Sequence, residues 1–174
     1  MDLATRNYIN LLAERVISAY DIAIPIRDID AVVRRMGGTI ETQSIFDSIY
    51  DGTIMKSGNN SFRIVISDAQ NAQRRNFTIA HELGHLFLHM GYRTNKELWD
   101  KQDNSRFMRF GTSDQEFQAN EFAAALLMPK GQYLQKLREY SHEGRIDMNK
   151  MSSHFNVSLS AATNRGRFLG VIYG

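Results

Sequence analysis

The run His81-Glu82-Leu83-Gly84-His85 carries two imidazoles and a carboxylate in the pattern H-E-x-x-H. On an α-helix, positions i and i+4 lie about 40° apart around the axis and about 6 Å along it, so both imidazoles reach toward one ion. Glu82 projects about 100° away from His81 and flanks that point, where it can hold a water and take its proton. With five His and eight Glu in the chain, the pattern arises in roughly 0.6% of shuffled sequences, so chance is a weak competitor to a metal site. Two imidazoles and a carboxylate buried unpaired would cost several kcal/mol, and a metal ion relieves that cost.

A catalytic zinc takes three protein ligands and keeps a fourth position open. The chain has no cysteine, so the third ligand is a histidine or a carboxylate. The extended pattern H-E-x-x-H-x-x-G-x-x-H fails, because position 88 is Leu and position 91 is Gly. His89 stands eight residues beyond His81, about 12 Å along a straight helix, and reads as a polar residue near a helix end. The remaining source is Glu116-Phe117-Gln118-Ala119-Asn120, on a second helix. Glu116 and Asn120 share a face at i and i+4, and Ala119 and Ala123 beside them permit close approach to the His helix. Glu116 is the expected third ligand, against the competing reading that Ser113-Asp114-Gln115-Glu116 is a capping box. Asn120 is expected to hydrogen-bond a ligating imidazole. Glu121 points about 140° from Glu116 and reads as solvated or structural.

The elements that must position these groups follow from periodicity. Residues 3 to 20 repeat apolar positions at helical spacing behind Asp2, and residues 27 to 36 form a short helix stopped by Gly37-Gly38. Residues 39–42, 45–50, 53–56 and 61–67 are β-branched or alternating, which predicts a small antiparallel sheet. Helices are expected over about 71–90, 114–127 and 132–140, and two short ones over 148–154 and 159–169. Residues 91 to 111 read as a polar connection with one helical turn; Trp99, Phe107 and Phe110 in it could anchor it or pack over the cleft. The expected fold class is α+β, in a single domain spanning residues 1–174. Apolar residues make up 43% and charged residues 23%, as in globular chains. A net charge of +2 is too small for nucleic-acid affinity driven by bulk charge. The N-terminus lacks the apolar core of a signal peptide, and no 18-residue apolar run exists, so a cytoplasmic protein without a membrane span is expected.

The segments RRNFTIAHELGHLFLH and EFQANEFAAALLMP resemble the ImmA/IrrE family of metallo-endopeptidases. IPIRDIDAVVRRMGGTIE, FRIVIS and HFNVSLSAATNRGRFLG extend the resemblance over about residues 22 to 172, with the helical tail (148–172) inside the same domain. The resemblance implies a zincin-like fold and one zinc ion per chain on His81, His85 and Glu116, with Glu82 as the catalytic carboxylate. It also implies cleavage of a partner protein, a helix-turn-helix transcriptional repressor of a mobile element or stress response. Arg165-Gly166-Arg167 departs from the leucine-like position usual in the last helix of the tail.

Zinc with two neutral imidazoles and a carboxylate acidifies water and polarises a carbonyl, and Glu82 would shuttle the proton to the leaving amine. Tyr133, Tyr140, His142 and His154 are the candidates for a second oxyanion donor. The strand containing Phe62, Arg63, Ile64, Val65 and Ile66 could be a sheet edge that pairs with an extended substrate; the competing reading is an internal strand. Two rival functions remain open: a non-catalytic metalloprotein that holds its repressor partner, and DNA binding through the C-terminal helices with Arg165 and Arg167.

Overall fold

The computed structural model describes residues 1–44, 51–104 and 113–173. The expected strand at 45–50 and the aromatics Phe107 and Phe110 lie outside them. Helix α1 (Leu3–Ala19) starts where the Asp2 carboxylate accepts the Thr5 N–H at 2.7 Å, satisfying one of the unpaired donors of a helix start. It buries Ile9, Leu12, Ala13 and Val16. Helix α2 (Ile29–Arg35) is capped by Asp28 in the same way and ends at Gly37, whose φ of +92° suits glycine.

Three strands follow: β1 (Gly38–Gln43), β2 (Gly52–Gly58) and β3 (Ser61–Ser67), in spatial order β1-β3-β2. The sheet is mixed. β2 and β3 form the expected antiparallel hairpin, whereas β1 runs parallel to β3 with Gly38 opposite Phe62. The placement of β3 follows from its composition. Phe62, Ile64 and Ile66 are buried on one face and Val65 on the other, and a strand apolar on both faces belongs inside a sheet. β3 is therefore bonded along both sides, and Phe62, Arg63, Ile64, Val65 and Ile66 present no free edge to a substrate. The more polar β1 and β2 take the outer positions.

Helix α3 (Ala72–Leu88) is capped by Asn71 and buries a continuous run from Thr78 to Ala80 and Glu82 to Phe87. It packs on the sheet and on α5 (Ser113–Leu127), and α5 packs in turn on α1. The connection between α3 and α5 holds the expected turn of helix, α4 (Lys96–Asp100). Trp99 anchors it. Its ring is buried edge-on against Tyr92, and its Nε1–H donates to the Asn59 carbonyl in the β2–β3 turn, so it does not pack over the cleft.

After α6 (Lys130–Glu139) comes a tiny hairpin that periodicity misses, β4 (Ser141–His142) and β5 (Arg145–Ile146), turning through Glu143 and Gly144 at positive φ. The tail is α7 (Met148–Phe155) and α8 (Leu159–Phe168), separated by Asn156 in the left-handed region. Arg165, the departure noted in the sequence, fastens α8 to the rest. It is 1% exposed, ion-paired to Glu121 at 3.1 Å, and donates to the Met128 carbonyl and to Asn10 Oδ1. Glu121 is thus a buried structural carboxylate and not a solvated one. No helix among the described residues is long and apolar enough to cross a membrane.

Candidate metal centre

The crossing of α3 and α5 makes the site possible. A Cβ on Gly84 would lie 2.9 Å from Ala119 Cα and 3.0 Å from its carbonyl oxygen. The helices approach so closely because neither residue carries more than a methyl group, and this brings Glu116 over the two histidines. His81 Nε2 lies 3.1 Å from Glu116 Oε2, and His85 Nε2 lies 3.4 Å from Glu116 Oε1. The two Nε2 atoms are 3.0 Å apart. Nitrogen and carboxylate donors from the three residues all fall within 4.8 Å of one another.

The outward nitrogens of both rings are engaged. His81 Nδ1 is 2.9 Å from Asn120 Oδ1, the contact expected for Asn120. His85 Nδ1 is 2.9 Å from His89 Nδ1, and His89 Nε2 is 3.0 Å from Gln118 Oε1. One assignment of protons satisfies every pair: His81 Nδ1–H donates to Asn120, His85 Nδ1–H donates to His89, and His89 Nε2–H donates to Gln118. Two Nε2 lone pairs and two carboxylate oxygens then converge with no proton between them. That set repels itself unless a cation sits among it, and imidazole with carboxylate suits a divalent transition-metal cation. The residues fit a metal.

Electrostatics agree. Burial, and then the neighbouring His81 and His89 rings, push the His85 imidazole down to about 2, so it stays a neutral lone-pair donor. Burial also holds His89 below its ordinary value. Glu82 is 4% exposed, and burial, followed by the Glu116 charge, pushes its carboxyl up to about 8. Gly52, at the start of β2, helps enclose it: a Cβ there would stand 2.7 Å from Thr78 Cγ2 and 3.2 Å from Glu82 Oε1.

His89, Gln118, Gly84 and Gly52 escaped the reading of the sequence as parts of the site. His89 had a signal, because it stands i+4 from His85 and so faces the second histidine, although it is too far along the helix to share an ion with the first. The four candidate oxyanion donors are not brought in. Tyr133 is fully buried, stacks on Phe155 and donates its hydroxyl to the Ala162 carbonyl at 2.7 Å. Tyr140 and His154 face each other at 3.4 Å, and His142 is exposed on β4. None of the four hydrogen-bonds the metal group among the described residues. The DNA-binding rival also loses a support, since Arg165 is buried and paired and cannot reach a phosphate.

The family model Peptidase_M78, described as the IrrE N-terminal-like domain, matches residues 27–166. No curated protein matches the chain. Among solved structures, a Mycobacterium tuberculosis transcriptional regulator is similar, with a TM-score of 0.59 and 16% identity over 91% of this chain. That likeness is one of fold, and the chain spans 46% of that regulator's length.

Proposed function

The chain belongs to the Peptidase_M78 family, in its IrrE N-terminal-like domain, and from that premise we propose that it is a zinc-dependent endopeptidase cleaving a partner protein. The observation that carries the reading is the convergence of His81 Nε2, His85 Nε2 and the Glu116 carboxylate beside a buried carboxyl, Glu82. His81, His85 and Glu116 would hold one zinc ion per chain. When bound, zinc supplies a Lewis acid that polarises the scissile carbonyl and makes water acidic enough to attack it.

The remaining work falls to this chain's side chains. The charge of a bound cation would draw the Glu82 carboxyl back down, and the ionised Glu82 would hold the attacking water, accept its proton, and pass that proton to the leaving amine. Asn120 and the pair His89 and Gln118 hold the two imidazoles with their Nε2 lone pairs inward. Because β3 is internal, an extended substrate would pair with the outer side of β2, whose first residue abuts Glu82.

The partner that fits the reading is a helix-turn-helix repressor. The test is to incubate the zinc-loaded protein with helix-turn-helix repressors from the same genome, with and without chelator, and to repeat with Glu82→Gln. The amide is nearly isosteric but cannot take a proton, so cleavage should fall at least about 100-fold at unchanged zinc content. Intact repressor after incubation with the zinc-loaded wild type would favour the rival in which the protein only holds its partner.

A further inference from the structure

A groove of about 840 Å³ opens between the first half of α3, the outer face of α5 and helix α8. Its walls include Phe77, Thr78, Phe117, Asn120, Ala124 and Phe168. Phe117 is 61% exposed and Phe168 53%, although each could have been polar without loss to the core. Phe168 is also held in place, since the Arg6 guanidinium lies 5.0 Å from its ring centre. The groove is continuous with the metal group: Asn120 lines it and bonds His81, while Thr78 lines it one helical turn before Glu82. A chain advancing about 3.3 Å per residue across the metal group therefore enters the groove within a few residues.

The charges of the lining narrow the occupant. Its three guanidinium groups each have a carboxylate neighbour: Arg74 with Asp51, Arg165 with Glu121 at 3.1 Å, and Arg6 with Glu121 at 3.8 Å. Two carboxylates thus face three guanidiniums, leaving one positive charge in excess, and a surface that is apolar over most of its exposed area suits uncharged side chains. Resting on the peptidase reading above, we infer that the groove holds the substrate segment flanking the scissile bond and selects a large aliphatic or aromatic side chain in it. Phe117 and Phe168 are its specificity-determining residues.

The test uses two fluorescein-labelled peptides of equal length, one carrying Leu and Phe and the other Ser at the same positions. Anisotropy with zinc-loaded Glu82→Gln protein reads binding without turnover. The apolar peptide should bind at least about tenfold more tightly than its Ser counterpart, the factor expected for burying one large side chain. Adding Phe117→Ser together with Phe168→Ser should abolish that preference at unchanged zinc content. Asn164→Trp, which places a ring in the groove from an exposed position on α8, should do the same by obstruction. Retention of the preference in both variants, each shown folded by circular dichroism, would overturn the inference. Cleavage of the same peptides by zinc-loaded wild type is scored separately, so that selective binding without cleavage counts against the peptidase reading alone.

Discussion

The chemistry of single residues here depends on what each side chain touches behind the metal group. His85 is held neutral by burial, but its orientation comes from His89, which is in turn bonded to Gln118. Removing such a support commonly weakens metal affinity by about 10- to 100-fold. His89→Ala and Gln118→Ala should each lower zinc affinity within that range, measured by competition with a chromophoric chelator. His89→Ala should have the larger effect, because it removes the group in direct contact with His85 Nδ1, whereas Gln118→Ala removes the group behind it. Affinity equal to wild type in both variants would show that packing alone orients His85.

Between elements, the decisive feature is the approach of α5 to α3 at Gly84 and Ala119. Gly84→Ala puts a methyl 2.9 Å from the backbone of Ala119, so the helices must separate. Overpacking of this sort destabilises by about 1–3 kcal/mol, and here it should also draw Glu116 away from the histidines. Urea unfolding and zinc titration of the same variant should fall together. A second contact ties α2 to α3, where Arg75 donates to both carboxylate oxygens of Asp30 at 2.7 and 2.8 Å. That hydrogen bond holds the Asp30 carboxyl below the usual carboxylate range. A folded-state pKa lowered in this way contributes stability above the unfolded value, near pH 4, and the contribution disappears as pH falls through the folded value. Asp30→Asn should therefore be less stable than wild type at neutral pH, and the gap should close on acidification. A gap that stays constant from pH 7 to pH 3 would mean that the ion pair contributes nothing.

Across the whole molecule, a buried ion pair helps to join the helical tail to the body. Arg165 reaches from α8 to Glu121 on α5 and Asn10 on α1. Breaking a buried pair from one side strands the other charge and costs about 3–5 kcal/mol, whereas replacing both partners with apolar groups is often close to neutral. Arg165→Met should lower the unfolding free energy by less than that, because Arg6 and Asn10 still face Glu121, and Glu121→Leu with Arg165→Met should lose less than the sum of the two single variants in chemical denaturation. Additive losses in the double variant would show that the two side chains act independently. The same pair removes Arg165 from the surface and shapes one end of the groove beside the metal group.

Local pattern was enough to identify the site's first residues. H-E-x-x-H, with Glu116 and Asn120 at i and i+4, is a periodicity statement: residues four apart on a helix share a face whatever the helix packs against. For the same reason α1, α2 and α3 were legible to within two residues at each end, and Asp2, read in the sequence as standing before the first of them, accepts the N–H three residues on. The order of strands was not legible, because hydrogen bonds between strands join residues far apart in sequence. Alternation in SFRIVIS is shared by edge and central strands; Val65 on the second face suits a central place, but only the pairing of β1 along its other side showed β3 to be internal. Tertiary structure likewise decided that His89 supports His85 through Gln118, that Tyr133 is committed to the core, and that Arg165 is an anchor. Each of those outcomes depends on a partner contributed by another element, and the spacing of residues along one element carries no information about that partner.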